Sequence, residues 1–229
     1  MRTLLHSIII ASGCALASGV AQAQDPAPAA EEAAATSQQQ RDLLDQVQKK
    51  YADVDVMRAR FKQTSTSALY GESAQEGHLT LQRPKKMRWD FEGEGKQFIT
   101  DGETMWIYSS ADKQVIVYKD FGAAGGMAAD ALLQSLDKLE VLFDVKLLSS
   151  GADGHRFELA PLDEAAKAQV KRIELRLDAA LQVDAVQVTD AFDGITTLDF
   201  SEVQLGGDVD PSTFSFTPPE GVTVVDASG

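Results

Sequence analysis

The chain has one cysteine and three histidines in 229 residues. A single cysteine excludes an internal disulfide and, with it, a cysteine-rich zinc site. His6, His78 and His155 are far apart, and no HExxH, nucleophile elbow or phosphate-binding loop accompanies them. The glycines between Gly122 and Gly126 are not followed by Gly-Lys-Ser/Thr, so they do not cradle a nucleotide. Basic residues are scarce as well. Against 35 Asp and Glu there are 21 Lys and Arg, a formal charge of −14. Such a chain repels phosphate backbones, which excludes general nucleic-acid binding. No apolar run reaches the roughly 20 residues of a membrane-crossing helix. Carboxylates are plentiful but do not sort into an acid/base pair. Asp90 and Glu92 share a strand face, which serves a solvated surface as readily as catalysis. With no catalytic constellation, metal-ligand set or cofactor motif, the expectation is a protein that is not an enzyme and holds no metal or cofactor.

What is present is a chain that can fold, since 44% of its residues are apolar. Arg2, the apolar stretch Leu4–Ile10 and Ala21-Gln22-Ala23 make an export signal over residues 1–23. Cys14, in Ala11-Ser12-Gly13-Cys14, also reads as a lipidation site, and that alternative stays open. Residues 24–37 are rich in Ala, Glu, Pro and Gln and read as a flexible acidic leader. A helix is expected from about Gln38 to Tyr51, with Leu43, Leu44, Val47 and Tyr51 on one face. Ser37 and Gln40 resemble a capping box at its start.

From Val56 the period changes from helical to two. Leu79 and Leu81 alternate with polar residues, as do Met87, Trp89 and Phe91, then Ile173, Leu175 and Leu177. At Met105–Tyr108 both faces carry bulk. Turns at Asp101-Gly102, Ser110–Asp112 and Asp193-Gly194, and a ladder break at Arg83-Pro84-Lys85, predict a meander of about ten or eleven antiparallel strands. The run Phe121–Gly126 is rich in glycine and precedes an apolar helical pattern through Met127, Ala131, Leu132, Leu136 and Leu139. Gly122, Gly125 and Gly126 are therefore candidate hinges for a lid, with an ordinary core-covering helix as the alternative. No linker divides residues 38–229, which read as one mainly β domain.

Four blocks then become recognisable: Phe61-Lys62-Gln63, Gly77 through Trp89, Asp101 through Tyr108, and Phe214 through Val222. In order and spacing they resemble the periplasmic outer-membrane lipoprotein carrier family, LolA. The resemblance implies a large unclosed antiparallel β-barrel with a helical lid over an apolar cavity. It implies a periplasmic chaperone without enzymatic activity. Such a carrier receives acylated lipoproteins from an ATP-driven inner-membrane exporter and delivers them to an outer-membrane receptor. It assigns Arg83 the role of lid latch and makes Leu79, Leu81, Met87, Trp89 and Phe91 the wall of the acyl cavity. The residues by themselves allow those five to be plain core. An envelope lipid-binding or sensor protein with the same half-barrel and no transfer role is the competing reading. A hydrolase of an envelope polymer lacks its acid/base pair. Nothing marks a dimer surface, so a monomer is expected.

Overall fold

The computed structural model describes residues 28–67, 71–119 and 128–228, with the backbone alone at 28–36 and 128–130. The export signal, Cys14, the three hinge glycines and Met127 lie outside the described residues. The chain divides into two compact units, Met1–Ser37 and Gln38–Gly229. Helix α1 runs Pro28–Tyr51, so it starts well before the expected Gln38. Its first turns are rich in Ala and Glu, both strong helix formers, and from Pro28 the leader is helix rather than coil.

From Val56 onward strands dominate. They are β1 Val56–Ser67, β2 Gly71–Gln82, β3 Lys86–Phe91, β4 Lys96–Thr100, β5 Met105–Ser109, β6 Gln114–Tyr118, β7 Phe143–Gly151, β8 Gly154–Pro161, β9 Val170–Leu177, β10 Val183–Asp190, β11 Ile195–Leu205 and β12 Thr223–Asp226. All lie in one 12-stranded sheet, ordered β12-β6-β5-β4-β3-β2-β1-β11-β10-β9-β8-β7. Strands β12 and β7 end the order, so the sheet is an unclosed half-barrel, as the resemblance implies. Pairing is antiparallel except between β12 and β6, which run parallel. The reason lies in the segment after β11. It passes over the outer face, where Arg88 donates to Thr213 O at 3.3 Å and the Tyr108 and Phe216 rings sit 5.2 Å apart, and it then lies down along β6.

Among the described residues three short α-helices, α2 Ala128–Leu133, α3 Leu139–Leu142 and α4 Glu164–Lys167, and a 3-10 turn at Pro211–Phe214 complete the secondary structure. The single helical pattern expected through Leu139 is thus broken by a turn at 134–137. Because α3 takes Val141 and Leu142, β7 begins at Phe143.

Cross-strand register aligns Leu79, Trp89, Phe98, Ile107 and Ile116 in one row over β2–β6. Residues directly opposite share a face, so this row marks the inner face. Leu43, Leu44, Val47 and Tyr51 of α1, with Leu132, Leu133, Leu136 and Leu139, join that face in one apolar cluster. The outer face of β4–β6 is covered too, with Ile99, Val115 and Phe214 buried. This accounts for the bulk on both sides of Met105–Tyr108.

Tyr51 ties the end of α1 to the sheet. Its hydroxyl oxygen accepts from Val183 N at 3.0 Å, and burial pushes its pKa up to about 12. The unfolded chain releases this proton near pH 10, the folded chain near 12, so the folded form holds more protons in between. Stability contributed by the neutral phenol is intact below pH 10 and falls as pH rises through 12. Two units correspond to roughly 2–3 kcal/mol. Tyr51→Phe should flatten this decline, read as urea midpoints on either side of the window.

Candidate functional site

Arg83 follows β2 directly and precedes Pro84, which has no N–H to extend the ladder. Its own N–H donates to Asp55 O at 2.8 Å, fixing the connection between β2 and β3. From there the guanidinium reaches two helical segments. Nη1 donates to Tyr51 O, at the end of α1, at 3.1 Å. Last-turn carbonyls of a helix lack intrahelical partners, and a basic side chain satisfies one of them. Nη2 lies 3.3 Å from Oδ1 of Asp137, in the turn between α2 and α3. Two residues further on, Lys85 N donates to Gln134 Oε1 at 2.6 Å. The β2–β3 connection therefore holds α1 and the α2–α3 segment at once. The Arg83 and Asp137 side chains are only 18% and 28% exposed, so water screens the pair weakly. Asp137 Oδ1 is buried and makes no hydrogen bond among the described residues, leaving the Arg83 charge as its compensation.

Leu79, Leu81, Met87, Trp89 and Phe91 all lie on the inner face and all are buried. They share one buried apolar cluster with residues of α1 and α2, so in this conformation the five are core rather than the wall of an open cavity. The cleft left beside Leu81 and Arg83 measures about 10 Å³, space for a single water. Beyond the helices the same face does open. A groove of about 530 Å³ is lined by Lys96, Ile107, Ser109, Gln114 and Ile116. Aromatic rings connect it to the core in steps: Trp89–Phe61 at 4.7 Å, Phe61–Phe91 at 5.2 Å and Phe91–Phe98 at 5.3 Å. Lys96 Nζ sits over the last two, 5.1 and 4.8 Å from their centroids.

The polar groups weighed for chemistry do not converge on this face. Glu92 pairs with Arg60 and His78, each at 3.1 Å. Asp90 accepts from Arg88 and Gln97. His155 bonds Ser150 Oγ at 2.9 Å on exposed strand ends. No group of three or more potential metal ligands occurs among the described residues.

Sequence reasoning missed Asp137 and Gln134, which meet the β2–β3 connection, because a polar residue inside an apolar pattern gives no sign of its partner. It also placed Gln40 in a capping box. The helix begins earlier, and the Gln40 amide instead reaches β7, donating to Val145 O and accepting from Leu147 N, both at 2.8 Å.

The profile of the family described as outer membrane lipoprotein carrier protein LolA matches residues 52–217. An outer-membrane lipoprotein carrier protein of Chromobacterium violaceum is 33% identical over 168 residues, 73% of this chain and 79% of its own. The corresponding protein of Alkalilimnicola ehrlichii is 29% identical over 183 residues, 78% of this chain and 81% of its own. Among solved structures, an uncharacterized conserved protein of Thermus thermophilus shares the fold with a TM-score of 0.50 at 14% identity, covering 82% of this chain and 99% of its own. An open half-barrel whose apolar inner face clusters with helix side chains, matched over most of its length by this profile, belongs to the LolA family of non-catalytic periplasmic lipoprotein carriers.

Proposed function

We propose that this chain takes the acyl anchor of a lipoprotein from an ATP-driven inner-membrane exporter, shields it across the periplasm and passes it to an outer-membrane receptor. The observation that carries this reading is the apolar inner face closed by helices that a single side chain, Arg83, fastens at two points. Exposing hydrocarbon to water costs about 0.8 kcal/mol per CH₂, so one 16-carbon chain represents on the order of 10 kcal/mol. Such an anchor crosses water only inside a shield. Acyl chains and helix side chains cannot share the inner face, so loading must lift α1 and α2. Release is then favoured because the empty face refills with its own helices and Arg83 recovers its partners. The groove at Ile107 and Ile116 gives an arriving chain uncovered apolar surface beside the aromatic series.

Release of a radiolabelled lipoprotein from inner-membrane spheroplasts into the soluble fraction tests the reading. Dose-dependent release as a one-to-one complex is expected. No release, with the exporter and a known carrier active in parallel, would move the assignment to a lipid sensor on the same scaffold. Ile107 is only half-buried, so a charge there is tolerated by the fold but not by a hydrocarbon ligand. Ile107→Asp should therefore lower uptake about tenfold or more with an unchanged circular dichroism spectrum. Uptake at the wild-type level would remove the groove from the entry route.

A further inference from the structure

We infer that the outward edge of β7 is a binding site for an extended peptide, and that Gln40 fills this site while the protein is empty. The inference rests on the carrier reading, because the peptide it names is the stretch following the acylated residue of a cargo. Strand β7 ends the sheet order, so one of its edges has no neighbouring strand among the described residues. An open edge offers a row of backbone donors and acceptors to any extended chain. Here one pair is taken by a side chain. Gln40 Nε2 donates to Val145 O, and Gln40 Oε1 accepts from Leu147 N, each at 2.8 Å. A residue in a strand running parallel to β7, opposite Lys146, would make the same two bonds, donating to the carbonyl before and accepting from the N–H after. The amide of Gln40 thus imitates one residue of a missing strand.

Its position gives the imitation a consequence. Gln40 sits on α1, one turn before Leu43 and Leu44, which fill the inner face. Val145 is buried and Leu147 half-buried on that face, so this edge borders the space the acyl chains take. When chains displace α1, Gln40 goes with it and the backbone pair is freed beside the loaded hydrocarbon. The polypeptide attached to that hydrocarbon is the nearest chain able to replace Gln40. Main-chain pairing reads no side chains, which suits a carrier whose cargoes share an acylated end and differ in sequence.

Amide hydrogen exchange at Leu147, followed by NMR on the full mature chain, tests this with two probes. One is a diacylglyceryl-modified, N-acylated cysteine, and the other is the same lipid followed by an eight-residue flexible peptide. The Leu147 amide is expected to be protected in the empty protein, to exchange at least tenfold faster with the lipid alone, and to regain protection with the lipopeptide. Protection that persists with bound lipid alone would show that the edge is never freed, and would overturn the inference. So would a bound lipopeptide that leaves Leu147 as exposed as the lipid does. Failure of both probes to bind would instead overturn the carrier reading, and the inference with it. A second measurement is independent of exchange. The lipopeptide should bind at least tenfold tighter than the lipid, and Leu147→Pro, which removes the donor at an edge position where proline is tolerated, should erase most of that difference. An undiminished difference in the folded variant would also overturn the inference.

Discussion

Arg83→Leu is expected to leave uptake of an acylated lipoprotein intact while cutting its delivery to the outer-membrane receptor by tenfold or more. The substitution withdraws a donor from Tyr51 O and, among the described residues, the charge compensation from the buried oxygen of Asp137. Both losses fall on the closed, empty state, since opening separates these partners in any case. An unsatisfied buried group costs about 1–3 kcal/mol, and a difference of that size in the opening equilibrium is a factor of about 5–150. Apparent affinity for a ligand that binds only the open form scales with the open fraction, so the variant should hold its cargo more tightly by the same factor. Uptake survives and unloading suffers. Asp137→Asn keeps the shape and loses the charge, and should lie between the two. The measurement is transfer of labelled lipoprotein from the preformed complex to receptor, with uptake assayed separately. Transfer by Arg83→Leu at the wild-type rate would remove the latch role from this residue.

The largest effect on stability should come from Trp89→Ala. Trp89 is fully buried at the centre of the inner face, with Phe61 edge-on at 4.7 Å. Its register neighbours are Leu79 and Phe98, so the void would be lined by side chains anchored on three adjacent strands. Strands held by ladder bonds on both sides cannot close over such a gap, which places the cost near the upper part of the roughly 3–5 kcal/mol range for large aromatics. In a domain of this size each kcal/mol lowers Tm by about 2–4 °C, so a drop on the order of 10 °C is expected by calorimetry. A loss below about 3 °C would mean that the inner face is loosely filled in the empty state. That result would favour a standing cavity over one opened by helix movement.

These expectations draw on parts of the molecule that were unequally legible beforehand. The alternation at Leu79–Leu81 and Met87–Phe91 located two strands and their buried face, because side-chain direction in a strand depends on nothing beyond the strand. The stripe Leu43, Leu44, Val47, Tyr51 fixed the buried side of α1 for the same local reason. Ends of elements were less legible. The start of α1 moved to Pro28, since an Ala- and Glu-rich stretch without apolar periodicity is compatible with helix and coil alike. The pattern through Leu139 split into two helices because a turn at 134–137 brings Gln134 and Asp137 to the β2–β3 connection.

The sequence by itself determined the β meander after one helix, the residues of the inner face and, through four spaced blocks, the family. Each of these is written in local order or spacing. The tertiary structure decided what fills the inner face, so that the expected wall residues form a packed core under α1 and α2. It also decided that Arg83 meets both a helix carbonyl and Asp137, that Gln40 serves the edge of β7, and that β12 runs parallel to β6. These facts pair groups far apart along the chain. Only sheet register and helix placement bring such groups within hydrogen-bonding distance, and neither leaves a local trace in the order of residues.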